Sequence, residues 1–593
     1  MSYEIVVVLL LLVAVMVAFF LERLPIDVIT MSLLAALILF GILTPAQAFS
    51  GFANEVILVL CSVFILSGAL VRSGIMESMG GVIHRLAGDS EGRATTAVMS
   101  VSAAMSAFIS NTNSTAILLP AVMEYARRAR FSASRLLIPL AYASMLGGAC
   151  TLIGTSTNLA SSGFMRTYDL EPISMFELAP VGLTMVVIGT AWMALVGHRM
   201  LPRHRAETLR EEFAIDSYLS QIVVGEESDL VGVTLRDSWL ADEGVRVLAL
   251  VRGEKKVFPG ADDVVRSGDV LVVQASRAKL LDLDEHPALS FTSFDSRGDE
   301  DFVDDNVKLA EAVVMPRSRL RGKTLRQLKL RQRYEVTVLA AYRHGTAYPT
   351  DIADLRLHEG DVLLLQGSPE NLALLQSSES IWVLGELQRQ RFRRRRGGIA
   401  LGALLAAVLA AASGLLPVSV ALLLASLVVV LTRGVEADEI YDLIEWRVIV
   451  LIGGMTSFGL AMQTSGTADY LAALITNLAM PYGTYAVMSA FILLTMVLTQ
   501  PLSNAAAALV VLPVAMSTAT QIGVDPRALA ILVTLSASLS FIAPLEPACL
   551  LVYSPGRYRF GDYVKAGLPL TVIAYFVLLF MVPLIWPLTP ATP

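Results

Sequence analysis

Residues 110–122 read SNTNSTAILLPAV, and residues 503–515 read SNAAAALVVLPVA. Both stretches open on Ser-Asn, and in both a proline stands ten positions after the serine, Ser110 to Pro120 and Ser503 to Pro513. Upstream, Arg72-Ser73-Gly74 is echoed by Thr464-Ser465-Gly466, with Ser73 and Ser465 lying 37 and 38 residues before the motif serine. Downstream, an apolar stretch is interrupted in each case, by Gly154-Thr155-Ser156-Thr157-Asn158 and by Pro544-Leu545-Glu546-Pro547-Ala548. A chain that repeats itself in this way is built from two copies of one unit.

The surroundings of both copies are apolar. Of 593 residues, 55% are hydrophobic and only 16% charged, where soluble proteins carry about 25% charged residues. Of the 45 basic and 52 acidic residues, roughly sixty lie within 203–397. The net charge of −7 therefore averages unlike parts and says little about partners. The apolar blocks 1–202 and 398–593 each hold several stretches near the ~20 residues that cross a bilayer. Crossings are predicted at 4–21, 26–43, 54–72, 136–165 and 179–198, then at 399–414, 416–432, 446–464, 528–553 and 563–586. The first is not read as a signal peptide, because it lacks a basic leader and a small-residue cleavage site.

Lys and Arg gather on the cytoplasmic side of short membrane loops. Here they cluster at 72–93, 127–135, 198–205 and 391–396, while the loops near 44–53, 412–417 and 464–485 have none. This predicts an outside N-terminus, five crossings, a cytoplasmic segment at 203–397, five more crossings and an outside C-terminus. Five is odd, so the halves are inverted relative to each other. Arg166 and Arg527 are the basic residues left outside. Residues 94–123 and 485–517 must then enter and leave on one side, as re-entrant hairpins, which are tolerated only where they line a cavity or are buried in protein. The fold class is an α-helical polytopic membrane protein of two inverted repeats, each of about five crossings plus a hairpin, with an inserted α+β tandem domain.

Hairpin tips and interrupted helices leave backbone N–H and C=O groups open near the midplane. Helix N-termini attract an anion there, while carbonyls and Asn side chains coordinate Na⁺. Ser, Asn and Thr bind an anion without adding a charge that would be costly in lipid. A Ser-Asn-Thr run alone is usually a helix cap; its recurrence in two inverted halves favours a site. The anion-binding candidates are Ser110, Asn111, Thr112, Ser503 and Asn504. The cation candidates are Asn111, Gly154, Thr155, Thr157, Asn158, Asn504 and Glu546. A carboxylate within a membrane segment is a functional-site candidate by default; Glu546 supplies charge to a cation or carries a proton, or else pairs near the cytoplasmic end with Arg557 or Arg559. Glu124, beside a charged loop, is expected to be solvated. Cys61, Cys150 and Cys549 lie far apart and predict neither disulfide nor metal site. With no nucleophile–base pair or phosphate loop, an enzyme is not indicated. No cofactor is expected beyond the coupling ion.

On these residues the chain resembles the divalent anion/sodium symporter family of permeases, whose mark is Ser-Asn-Thr on a hairpin tip in each inverted half. Ser110-Asn111-Thr112 matches in full, and Gly154 through Asn158 is similar to the family's Gly-Thr-Pro-Pro-Asn element. In the second half Ala505 replaces the threonine, and Pro544-Leu545-Glu546-Pro547 stands where relatives present a Thr/Asn-containing tip. The resemblance implies a homodimer in the bacterial inner membrane, Na⁺ coupling and an elevator-like motion. Its subgroup with inserted TrkA-C domains makes sulfate the first substrate guess. The departures weigh against a complete second Na⁺ site and against a di- or tricarboxylate. Rivals are a gated channel-like pore, a dicarboxylate transporter and a sensor that no longer transports.

The polar segment is itself repeated over 220–283 and 307–376. Gly232-Val233-Thr234-Leu235-Arg236 matches Gly322-Lys323-Thr324-Leu325-Arg326, and Gly268-Asp269-Val270-Leu271 matches Gly360-Asp361-Val362-Leu363. Each unit shows β-branched runs closed by a Gly-Asp turn and then a helix-like stretch such as 368–375. They resemble TrkA-C domains, at 203–300 and 301–385, with 286–306 as linker. These modules either bind a small regulatory ligand such as a nucleotide or serve as packing modules. Residues 386–397 form a basic linker that anchors the next helix at anionic headgroups; membrane lipid, and not nucleic acid, is the expected contact.

Overall fold

The computed structural model describes residues 2–203, 219–384 and 394–588. Short stretches lie outside this description: 22, 74–77, 88–89, 130 and 436, and in the central segment 227, 243–244, 253–254, 258–262, 275–288, 293–307, 316–317, 319, 344–345, 349–353, 359 and 378–380.

Among the described residues the first apolar block forms the helices α1 (Tyr3–Leu21), α2 (Ile26–Leu39), α3 (Pro45–Ser50), α4 (Glu55–Arg72), α5 (Ser78–Ala87), α6 (Glu91–Ser106), α7 (Asn111–Arg128), α8 (Leu137–Gly148), α9 (Ser156–Arg166) and α10 (Ala179–Trp192). The last continues through a π turn at Met193–Gly197. The second block answers element for element: α11 (Arg394–Ala412), α12 (Val418–Leu431), α13 (Ile440–Leu443), α14 (Trp446–Thr464), α15 (Thr467–Ala479), α16 (Thr484–Leu498), α17 (Asn504–Ile522), α18 (Pro526–Ala537), α19 (Pro547–Tyr553) and α20 (Phe560–Ile585). Local signals set several starts. Thr44 and Gln47 form a capping box ahead of Pro45; Asn54 caps α4 through Val56 N, and Asp525 caps α18 just before Pro526. Six of the described helices are long and apolar enough to cross a bilayer, by length and composition.

The helices sort into two packed groups. One holds α1, α2, α4, α11, α12 and α14; the other holds α6 to α10 and α16 to α20, and the groups touch mainly where α9 and α17 meet α4 and α14. Helix α17 is buried on every face from Asn504 to Ala519. At 19 residues it is about 28 Å long, enough to span. All-round burial makes it an interior hairpin arm that meets protein and not lipid.

The helices differ from sequence expectation in four places. The loops expected at 44–53 and 464–485 contain α3 and α15, and α5 lies within the basic run at 72–93. These helices are short or amphipathic, so no window of them reads as a crossing. The interruptions read at 154–158 and 544–548 do fall at breaks, since 136–165 and 528–553 are each two helices separated by an irregular segment. Helix α11 starts at Arg394, inside the expected basic linker, whose residues 386–393 lie outside the described residues. Glu124 pairs with Arg128 one helical turn on, at 2.5 Å.

Among the described residues the central segment forms two five-stranded antiparallel sheets. The first has β1 (Leu219–Val224), β2 (Arg246–Arg252), β3 (Lys255–Val257), β4 (Val270–Gln274) and β5 (Leu289–Thr292) in the order β3-β2-β4-β1-β5. The second has β6 (Lys308–Val314), β7 (Thr337–Arg343), β8 (Thr346–Tyr348), β9 (Val362–Gly367) and β10 (Ile381–Leu384) in the equivalent order β8-β7-β9-β6-β10. Even the irregularity is repeated: the register shifts between Val247 and Ala249 in one sheet and between Val338 and Ala340 in the other. Strand β5 falls within the expected 286–306 linker, the rest of which lies outside the described residues.

Each Gly-Asp turn is tied down by an arginine. Asp269 accepts from Arg252 Nε and Nη2 at 2.8 and 2.6 Å, and Asp361 accepts from Arg343 at 2.7 and 2.5 Å. Both carboxylates are 2% exposed. Replacing Asp361 by Asn leaves a guanidinium without its bidentate partner, and is expected to cost about 2 kcal/mol, read as a lowered Tm. The hydrogen-bonded Arg252 guanidinium, helped by the Arg266 N–H, holds the Asp269 carboxyl below its ordinary value against desolvation. That contribution is fully present above the ordinary Asp value of about 4 and is lost as pH falls through the lower folded value. Asp269→Asn should therefore flatten the acid limb of a Tm-against-pH series.

Candidate functional site

The site is built from the hairpin turns and the irregular segments beside them. Ser110 closes the α6–α7 turn and Ser503 the α16–α17 turn, and both serines are helix caps. Ser110 Oγ accepts from Asn113 N at 3.4 Å, and Ser503 Oγ accepts from Ala506 N at 3.3 Å. A hydroxyl that accepts in this way still has its own proton to donate, so capping and anion binding are compatible. The asparagines that follow are buried: Asn111 is 7% exposed and Asn504 9%. Asn111 Oδ1 accepts from Ser106 Oγ at 3.0 Å, and Asn504 Oδ1 accepts from Thr499 Oγ1 at 2.8 Å. Thr112 is half-buried one residue on.

In the first half the irregular segment between α8 and α9 folds onto this tip. Thr151 Oγ1 donates to the Ala107 carbonyl in the hairpin turn and accepts from Gly154 N. Asn158 Nδ2 donates to the carbonyls of Gly148 and Thr151 at 3.1 and 2.8 Å. Gly148 is pressed against Asn111: a Cβ there would lie 2.3 Å from Asn111 Oδ1 and 3.2 Å from the Gly154 carbonyl. Thr155 caps α9, accepting from Thr157 N, and both threonines are buried. Asn111, Gly154, Thr155, Thr157 and Asn158 are thus brought together. At the centre, Asn158 is fully buried and its Oδ1 has no partner, as does Ser161 Oγ one turn further. A buried acceptor without a donor is costly and invites a ligand. Every polar atom here is a neutral oxygen or an amide, and no cluster of His, Cys, Asp and Glu fit for a metal occurs among the described residues. Such a donor set suits an alkali cation, where zinc or copper would call for nitrogen or sulfur.

The second half is knitted differently. Thr499 Oγ1 also reaches the Ala537 carbonyl, Ser540 Oγ donates to the Thr499 carbonyl, and Ala543 N donates to Gln500 Oε1 at 3.0 Å. Gln500 Nε2 donates to the Met496 carbonyl. Glu546 precedes α19, half-buried, and its carbonyl accepts from Cys549 N and Leu550 N. Its side chain does not cap the helix.

The halves interlock. Helix α9 packs on α17 and α18, and α19 packs on α7 and α8. Tyr142 of α8 donates to the Phe541 carbonyl in the second break at 2.7 Å, and Ile138 N donates to Tyr558 Oη at 3.1 Å. Between α4, α9 and the α11–α12 turn lies a cavity of about 370 Å³, reaching Leu159 and Ser162 of α9. Sequence reasoning missed Ser106, Gly148, Thr151, Ser161, Thr499 and Gln500. Ser106 and Thr499 carried a signal, both being hydroxyl residues four positions before the motif serine.

Comparison with known proteins bears on what this arrangement serves. Residues 16–535 match the family model described as citrate transporter. The chain belongs to the citrate transporter family. It lies in the divalent anion/Na⁺ symporter superfamily and is a multi-pass membrane transporter of the citrate and sodium/sulfate cotransporter type. An uncharacterized transporter of Synechocystis sp. is 34% identical over 99% of this chain and 98% of its own length. Sodium/sulfate cotransporter 2 of Chlamydomonas reinhardtii is 22% identical over 94% of this chain and 87% of its own. Among solved structures, the YdaH transporter of Alcanivorax borkumensis aligns over 92% of this chain and 89% of its own, with 16% identity and a TM-score of 0.43.

Proposed function

We propose that the chain is a secondary active transporter of a small divalent anion, sulfate first, coupled to Na⁺. The observation that carries this proposal is the unpartnered Asn158 Oδ1, buried in a nest of neutral oxygens beside the Asn111 tip. A cation bound there lends positive charge to an anion held by Ser110, Thr112, Ser503 and open helix N-termini, so the two bind together. The name of the Chlamydomonas relative supports both the sulfate and the sodium assignments.

The inverted topology is supported by pairing at helix ends. Arg72 pairs with Glu439 at 2.8 Å, Arg527 with Glu177 at 2.7 Å, Arg135 with Glu91 and Arg166 with Glu55. Every pair joins two ends that the loop charges assign to one side of the membrane. The division into two packed helix groups that meet along α9 and α17 supports an elevator-type alternating access. In this proposal the protein is a homodimer in a bacterial inner membrane, with 203–397 cytoplasmic as a tandem of TrkA-C-type modules open to a small ligand such as a nucleotide. A proton in place of Na⁺ would engage Glu546.

Uptake of labelled sulfate into proteoliposomes, with Na⁺ and pH gradients imposed separately, tests the proposal. Saturable, Na⁺-driven sulfate uptake is expected. A second substrate class, di- and tricarboxylates, is favoured by the description of the matching family model; citrate that outcompetes sulfate would replace the sulfate assignment. Single-channel currents or binding without flux would remove the transporter proposal altogether.

A further inference from the structure

The two sheet modules are an internal comparison, because the same turn occurs in both and meets different surroundings. Gly268 and Gly360 have nearly equal φ, +82° and +80°. Gly268 is exposed, and a Cβ placed on it would have nothing within 4 Å. Gly360 is buried, and a Cβ there would lie 2.8 Å from the Leu550 carbonyl of α19. The neighbouring strand end repeats the contrast. Tyr342 of β7 is 4% exposed with the Arg557 guanidinium 5.6 Å from its ring centroid, while the equivalent Val251 of β2 is half-buried. The turn-binding Arg343 is 17% exposed, against 38% for its counterpart Arg252.

Module folding does not explain this difference, since the two modules share sheet order, bulge and Arg–Asp clasp. What differs is docking. Among the described residues the second module, and not the first, seats its Gly-Asp turn and Tyr342 on the C-terminal part of α19 and the turn at 554–559. That segment is the inner half of the second broken helix, four residues after Glu546 and three after Pro547, and it packs on α7 and α8 of the first hairpin group. Building on the transporter proposal, we propose that the second module clamps α19 through this interface and slows transport, and that anything displacing the module releases the clamp. Among the described residues the first module makes no such contact at its Gly268 turn, and it has no such role.

The paired glycines separate docking from turn strain. Gly360→Ala and Gly268→Ala impose the same left-handed strain on a non-glycine residue, yet only the first drives a methyl into Leu550. Gly360→Ala and Arg557→Ala are expected to raise the initial uptake rate by about threefold, the low end of the range for one cation–π contact, with KM for sulfate unchanged. Gly268→Ala should leave the rate at the wild-type value. Equal rates in the two glycine variants, or a slower Gly360→Ala, would overturn the clamp. A readout independent of flux is thiol cross-linking of Tyr342→Cys with Arg557→Cys by a short bifunctional reagent, against Val251→Cys with Arg557→Cys. The first pair should cross-link and the second should not; failure of the first overturns the interface even if uptake is normal. Absent uptake of every anion by the wild type would sink the transporter proposal and the rate effect, while the cross-link would still decide the interface.

Discussion

Gly148→Ala should leave a folded protein whose Na⁺-driven uptake is lost. The added methyl would lie 2.3 Å from Asn111 Oδ1, well inside contact distance. That oxygen is the end of a rotatable side chain, so it can swing aside at small cost to the fold. Swinging aside removes it from the hairpin tip, where it faces Gly154 and the Asn158 nest. A displaced ligand group of this kind costs about 10–100-fold in ion affinity, so the Na⁺ concentration for half-maximal uptake should rise by that factor or uptake should vanish. The adjacent glycine is the contrast. A Cβ on Gly147 would meet the Ala103 backbone at 2.2 Å, and the hydrogen-bonded backbone of α6 cannot rotate away as a side chain can. Gly147→Ala should therefore lower Tm and yield of folded protein, where Gly148→Ala spares both. Asn111→Ala should reproduce the Gly148→Ala transport defect. Uptake of wild-type Na⁺ dependence in Gly148→Ala would remove Asn111 from the site.

These glycines mark the limit of what the sequence discloses. Ser110-Asn111 and Ser503-Asn504 were legible because one chemistry recurs at matching points of two copies. The broken helices were legible because Gly154-Thr155 and Pro544 to Pro547 interrupt apolar runs. The Gly-Asp turns of both sheets were legible for the same reason as the tips. Gly148 carries no such mark, because its importance lies in the side chain across from it, on another helix. Helices α5 and α15 escaped notice because they are short and mixed in polarity, and hydropathy resolves only long apolar runs. The asymmetry of the halves was half legible: Ala505 announces a missing hydroxyl, but the bonds of Gln500 and Thr499 depend on how the second break folds back.

That asymmetry leads to the second large effect, a single coupling site. In the first half, Asn158 Oδ1 and Ser161 Oγ are buried acceptors without partners. In the second half Ala548 stands where the first has Asn158, Asn504 Oδ1 accepts from Thr499 as Asn111 Oδ1 does from Ser106, and the oxygens beside it are already used, Gln500 Oε1 by Ala543 N and the Thr499 carbonyl by Ser540. A cation must be repaid for the water it sheds by oxygens that have nothing else to hold. The first nest offers that and the second offers it less. Uptake should therefore rise hyperbolically with Na⁺, with a Hill coefficient near one, where two coupled sites would give a sigmoid. Asn158→Ala removes the free oxygen and also the two bonds that shape the segment, to Gly148 and Thr151. Hydrogen bonds to a charged group are worth about 1.5–3 kcal/mol each, so Na⁺ affinity should fall at least about tenfold, with sulfate affinity falling alongside because the cation completes the anion's field. Asn504→Ala breaks a protein–protein bond at the anion tip and should raise the sulfate KM while the Na⁺ dependence stays hyperbolic with little change in midpoint. A sigmoidal Na⁺ response, or equal shifts of the Na⁺ midpoint in both variants, would restore a second cation site and require the Thr499–Asn504 bond to open during the cycle.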